Sequence, residues 1–257
     1  MEAADKDKKL ESTDTNEGAV IQIKDLKKSF GNNNVLNGIS ITLKKGENLV
    51  VLGKSGSGKS VLIKCLVGLI NPDEGVVSVF GEDISSLDSD GMNKLRRRLG
   101  FLFQSGALYD SMSVTENLLF PLRESKDMDM KAREVLVKEA LDNVGLTDVE
   151  DKMPSELSGG MRKRLGLART IILKPEIMLY DEPTTGLDPI TSREISELML
   201  KIQKNYKTSS IIITHDMACA AITANRMVIL KDGKVAASGT YEELKSSEDE
   251  WIQSFFS

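Results

Sequence analysis

From Val20 onward, short apolar runs alternate with stretches of helical periodicity, the rhythm of an α/β protein whose sheet is largely parallel. Ile39, Ile41 and Leu43 alternate with Ser40, Thr42 and Lys44, which predicts a half-buried strand, one of an antiparallel set near the start. Apolar runs at 49–52, 76–80, 99–103, 176–180 and 210–214 predict buried strands. Runs at 227–230 and 234–237 flank Asp232-Gly233, a pair that favours positive φ at both turn positions and so predicts a hairpin. Between about 105 and 169 the strand rhythm stops, and Ala132, Leu136, Ala140 and Val144 recur every fourth residue. This predicts a helical subdomain inserted into the α/β core. No long internal repeat or low-complexity segment interrupts the pattern.

Composition narrows the function. Thirty-nine acidic residues against 34 basic ones give a net charge of −5 over 257 residues, which argues against a wide basic face and a nucleic-acid partner. With 40% hydrophobic and 28% charged residues, the chain has an ordinary globular composition. Cys65 and Cys219 are too few for a disulfide framework and lack zinc-ligand spacing, so both are expected to be reduced thiols in a cytosolic protein. The longest apolar stretch, 61–70, is interrupted by Lys64 and falls short of the ~20 residues that cross a bilayer. Residues 1–17 resemble neither a secretory signal nor a transit peptide and are expected to form a disordered tail.

The first chemical signal is Gly53-Lys54-Ser55-Gly56-Ser57-Gly58-Lys59-Ser60, which fits G-x-x-x-x-G-K-[ST] between a predicted strand and a helix that runs on from Val61. Glycines there let backbone N–H groups turn inward around phosphates, and the helix N-terminus adds a favourable dipole. Lys59 places a charge on the β/γ oxygens, and Ser60 is expected to ligate Mg²⁺. The second signal is the strand 177–180 ending in Asp181-Glu182, at the strand end where parallel sheets expose ligands. Asp181 is suited to Mg²⁺, and Glu182 to orienting or deprotonating a water that attacks a γ-phosphate. His215, the only histidine, follows the strand 210–214 and is placed to contact that phosphate or water. Gln104, after the strand 99–103, is a neutral side chain that could touch Mg²⁺ or water.

Upstream of the acid pair, Leu157-Ser158-Gly159-Gly160-Met161-Arg162-Lys163-Arg164 is similar to the LSGGQ signature of ATP-binding-cassette (ABC) ATPases. Thr185-Gly186-Leu187-Asp188-Pro189 resembles their D-loop, Gln104 their Q-loop glutamine and His215 their switch histidine. The resemblance implies an α/β P-loop NTPase (RecA-like) core with an N-terminal antiparallel β-subdomain and an inserted α-helical subdomain. The nucleotide-binding domain would span 18–245. It also implies ATP and Mg²⁺ as cofactors, and a homodimer in which each P-loop nucleotide is covered by the partner's signature and Asp188 segment. Ser158 reads as an N-cap, with Met161, Leu165, Ala168 and Ile172 on one apolar face and Arg162, Lys163, Arg164 and Arg169 on a basic outer face. Phe30 matches the position where the family stacks an aromatic ring on adenine; a core phenylalanine is the alternative.

Met161 in place of the usual glutamine, the run 104–114, Asn117 and 120–124 look like the Mla-type ATPases of the family. That resemblance implies ATP-driven intermembrane phospholipid transport, on the cytoplasmic face of a bacterial inner membrane. The implied partners are an MlaE-like permease pair, an MCE-domain lipid-binding protein and, in some systems, a STAS-domain subunit. The permease's coupling helix is expected at 107–112. An ABC importer or exporter ATPase for another substrate is the alternative, and a soluble non-transport ABC ATPase a weaker one. Trp251, Ile252, Phe255 and Phe256 form an apolar stripe in the tail 246–257, expected to dock on the dimer partner or an accessory subunit, or else on its own domain.

Overall fold

The computed structural model describes residues 18–124 and 128–256, so the tail expected at 1–17 lies outside the described residues. Strands β1 (Ala19–Phe30), β2 (Asn33–Lys44), β4 (Glu74–Val79) and β5 (Glu82–Asp83) form an antiparallel sheet in the order β2-β1-β4-β5. A second sheet has the order β10-β9-β3-β8-β7-β6. Its members are β3 (Asn48–Gly53), β6 (Leu99–Leu102), β7 (Ile177–Asp181), β8 (Ser209–Ile213), β9 (Arg226–Lys231) and β10 (Lys234–Gly239). All its pairings are parallel except β9 with β10. That hairpin turns at Asp232 (φ 50°) and Gly233 (φ 73°), the positive pair the sequence predicted.

The large sheet is covered on both faces, which is why its strands read as unbroken apolar runs. Leu49 and Val51 of β3, with Leu179 and Ile213, enter one core shared with helix α1 (Lys59–Leu66) and the antiparallel sheet. Val50 and Leu52, with Met178 and Ile212, point the other way. That second core is closed by α3 (Val114–Leu122), α4 (Met130–Val144), α5 (Gly159–Ile171), α6 (Pro189–Tyr206) and α7 (Met217–Thr223). The short α2 (Ser89–Arg97) leads into β6.

Several expectations need correction. The segment 76–80 is not buried on both faces: β4 faces the core through Val77 and Val79 only, and Val76 is exposed. β6 is an edge strand with alternating burial, and Phe103 beyond it is exposed. The buried face of α4 is Val137, Ala140, Leu141 and Val144, whereas Ala132 is exposed. A strict four-residue spacing advances 400° per step on a 3.6-residue helix, so the stripe drifts out of the core within a few turns. The C-terminal stripe takes the last of its alternatives and folds onto its own domain through α8 (Tyr241–Lys245) and α9 (Glu250–Gln253). Ile252 is buried, Phe256 meets Tyr241 edge-on at 5.4 Å, and the Lys231 ammonium lies 4.5 Å from the Trp251 ring.

Asn117 is fully buried in α3 and uses its whole amide. Its Oδ1 accepts from Tyr109 N–H at 2.9 Å, and its Nδ2 donates to the carbonyls of Tyr109, Met112 and Ser113, each at 3.0 Å. It thereby fixes the 109–113 segment against the helix. Replacing Asn117 by Leu keeps the branching and number of side-chain heavy atoms but adds bulk and leaves those groups unpaired, so a loss of about 2–4 kcal/mol in unfolding free energy is expected. Urea unfolding with an unchanged slope tests this; a loss below ~1 kcal/mol would mean the loop re-pairs with water. Among the described residues no helix is long and apolar enough to cross a membrane. Cys65 and Cys219 are free and buried, and burial raises each thiol to about 11, which makes them unreactive.

Candidate active site

Strand order builds the site. β3, β8, β7 and β6 are consecutive parallel neighbours about 4.8 Å apart, so the segments after their carboxyl ends lie side by side. In that order they deliver the glycine-rich loop 53–60, His215, the pair Asp181-Glu182, and Gln104. A cavity of about 580 Å³ opens there. It is lined by Gly53, Lys54, Ser55, Gly56, Gly58, Lys59, Ser60 and Val61 with Gln104, Glu182, Thr185 and His215, and by Asn33 and Val35 of β2.

The loop turns into α1 at Gly58, whose φ of 98° and whose 2.8 Å separation between a notional Cβ and the Val35 carbonyl oxygen admit only glycine. Ser57 does not line the cavity: its hydroxyl is buried beneath the loop without a partner among the described residues. Lys59 is mostly buried, donating to the carbonyls of Gly53 (2.7 Å) and Lys54 (3.3 Å). Burial lowers its pKa, against the pull of Glu182 and Asp181.

Asp181 ends β7 with its Oδ1 buried and without a partner among the described residues, while its carboxylate takes a hydrogen bond from Ser60. Burial, and then the neighbouring Glu182 charge, raise its pKa. An orphaned carboxylate oxygen beside a hydroxyl is a fit for a divalent cation, so these residues suit Mg²⁺; Ser60 and Gln104 line the cavity, while Asp181 lies behind its wall.

Glu182 occupies the left-handed region (φ 51°), strain that a non-glycine residue keeps only where its surroundings hold it. Its N–H donates to Ile213 O at 2.8 Å, and its mostly buried carboxylate Oε2 lies 2.8 Å from His215 Nδ1. The Thr185 hydroxyl donates to the same oxygen at 3.3 Å. The His215 side chain is otherwise open to solvent. A carboxylate thus positioned beside an imidazole, in a loop-lined cavity, can hold a water and accept its proton.

The signature residues lie elsewhere. Leu157, Ser158, Gly159, Gly160, Met161 and Asp188 do not line the cavity of their own chain. Ser158 caps α5, accepting from Met161 N–H at 3.2 Å, and Gly160 packs against Thr191 with no room for a side chain. Asp188 caps α6 by accepting from Ile190 and Thr191, which lowers its pKa. Leu165, Ala168 and Ile172 are buried as the periodicity required.

The basic outer face is only partly present: Arg162 is exposed, Arg164 and Arg169 are half-buried, and Lys163 is turned inward. Arg162 bonds Leu157 O, Arg164 bonds Val144 O, Arg169 bonds Ala107 O, and Lys163 is buried against the carbonyls of Gln104 and Glu182. Phe30 is not a core residue: it is 49% exposed, paired across the β1–β2 turn with cavity-lining Asn33. Sequence reasoning missed Asn33, Val35 and Thr185 as cavity residues. Thr185, three positions after Glu182, carried a local signal; Val35 reaches the site only through the packing of β2 on the loop.

A profile of the ABC transporter family matches residues 36–185. The chain is 38% identical over 239 residues to the probable ribonucleotide transport ATP-binding protein mkl of Mycobacterium leprae, covering 93% of this chain and 69% of that one. It is equally 38% identical over 253 residues to the chloroplastic protein trigalactosyldiacylglycerol 3 of Arabidopsis thaliana, covering 92% and 73%. Among solved structures it resembles a dimeric ATP-binding cassette in a post-hydrolysis state bound to ADP and phosphate. That match has a TM-score of 0.77 and 31% identity, over 86% of this chain and 98% of that one.

Proposed function

The chain belongs to the ABC transporter family as its nucleotide-binding ATPase subunit, and from that premise we propose that it drives phospholipid movement between membranes through an Mla-type permease. The observation that carries the ATPase chemistry is the Glu182 carboxylate 2.8 Å from His215 in the cavity of the Lys59 loop. In our reading ATP lies with its phosphates in the loop, Lys59 on the β/γ oxygens and Phe30 near the base. Ser60 and Asp181 would hold Mg²⁺, with Gln104 available to it; bound there, the ion would neutralise charge developing on the phosphate oxygens. Glu182 takes a proton from the attacking water, and His215, held by Glu182, steadies the γ-phosphate. A second copy supplies Ser158, Gly159 and Gly160 from the positive end of α5.

Lipid as cargo is supported by the 104–114 and 120–124 runs of Mla type and by a relative named for a galactolipid. The permease would press on 107–112, beside a groove of mixed character lined by Phe101, Phe103, Pro121 and Leu173 together with Arg169 and Thr170. MCE-domain and STAS-domain partners follow from the same reading, as does a peripheral position on the cytoplasmic face. Import or export of another solute is the second reading, favoured by the mycobacterial relative's name.

Purification of the native complex from membranes separates the two. An MlaE-like permease with an MCE-domain protein and bound phospholipid is the expected outcome. A solute-binding protein, with ATPase activity stimulated by ribonucleotide and indifferent to lipid, would overturn it.

A further inference from the structure

Lys163 has no part in the reading above, yet it is 94% buried and points its ammonium at the site's underside. It donates to Gln104 O at 2.5 Å and approaches Glu182 O at 3.4 Å. Both partners are main-chain oxygens, and each belongs to a residue whose side chain lines the cavity. Lys163 itself stands on α5, five residues after the cap Ser158 that opens the signature. The same helix is pressed onto this region one turn on: a Cβ at Gly166 would fall 3.0 Å from Leu102 and 3.3 Å from Gly106. A flexible ammonium with three donors suits two carbonyls that approach from different strands.

We propose that Lys163 is a positioning residue that ties the signature helix to Gln104 and Glu182, so that a chain's own site and the surface it offers its partner move as one unit. The inference rests on the ATPase reading above. The Glu182 carbonyl follows a strained φ, and a charge-assisted hydrogen bond to that carbonyl is one of the contacts holding the peptide in place. Gln104 lies two residues beyond β6, the last strand of its sheet among the described residues, so no sheet pairing holds its carbonyl and the Lys163 bond is a contact that fixes it.

The test is Lys163→Met in the purified full chain, read by ATP affinity, steady-state turnover and, with Glu182→Gln added, the ATP concentration that half-drives dimerisation. ATP dissociation constants within about twofold of wild type, kcat lower by about tenfold, and a dimerisation midpoint raised about fivefold are expected. The split between unchanged binding and lost turnover is what separates positioning from bulk stability. Wild-type turnover, or kcat and affinity falling together with the melting temperature, would overturn the proposal. Should Lys163→Met not fold, Lys163→Gln, too short to reach both carbonyls, is judged by the same measurements. Failure of the unmodified chain to hydrolyse ATP would instead strike the ATPase reading, and is visible in the control.

Discussion

Glu182→Gln is expected to cut ATP turnover by two orders of magnitude or more while the protein still binds ATP and accumulates as an ATP-bound dimer. The amide keeps the shape of the carboxylate and a hydrogen bond to His215, so the cavity persists; what is lost is the carboxylate beside His215 Nδ1 that can accept a proton from water. General-base removal typically costs ~10²–10⁴ in rate. Size-exclusion chromatography with ATP should show a dimer peak that wild type passes through only transiently. Turnover within tenfold of wild type would move the base to another residue.

Lys59→Ala is expected to weaken ATP binding by roughly 10–150-fold, the equivalent of about 1.5–3 kcal/mol for a hydrogen bond to a charged group. Lys59 sits over the loop with its ammonium already largely desolvated, so contact with a triphosphate replaces two carbonyl partners by charged ones and adds little further dehydration. Titration with a fluorescent ATP analogue measures the change. Unaltered affinity would show that the loop's N–H groups, not the lysine, hold the phosphates.

Legibility followed the range of the interactions. The glycine-rich loop and the Asp181-Glu182 pair were readable because their chemistry lies within a few consecutive residues at strand ends, where a parallel sheet always exposes ligands. The hairpin at Asp232-Gly233 was readable because its constraint is a pair of φ angles. Within the basic run 162–164, the inward turn of Lys163 and Arg164 was not readable because the carbonyls they bond come from remote elements, 59 residues away for Gln104 and 20 for Val144, whereas Arg162 is exposed as expected. Asn117 entered the sequence reading only through a family resemblance, and its structural part was not legible because its partners are main-chain groups of a loop whose path no side-chain pattern encodes. Val76 and Phe103 look as apolar as any core residue, but Val76 lies on the face of β4 that nothing packs against among the described residues, and Phe103 lies beyond the end of edge strand β6.

Because Ser158 and its neighbours stand apart from the cavity of their own chain, harm in the proposed head-to-tail pair does not stay with the copy that carries it. A polypeptide with a sound loop and a spoiled signature would still load ATP and pair with a healthy twin, silencing the twin's pocket while its own is served normally. An allele of that kind, expressed beside an intact one, would act as a poison subunit and remove more activity than its dosage.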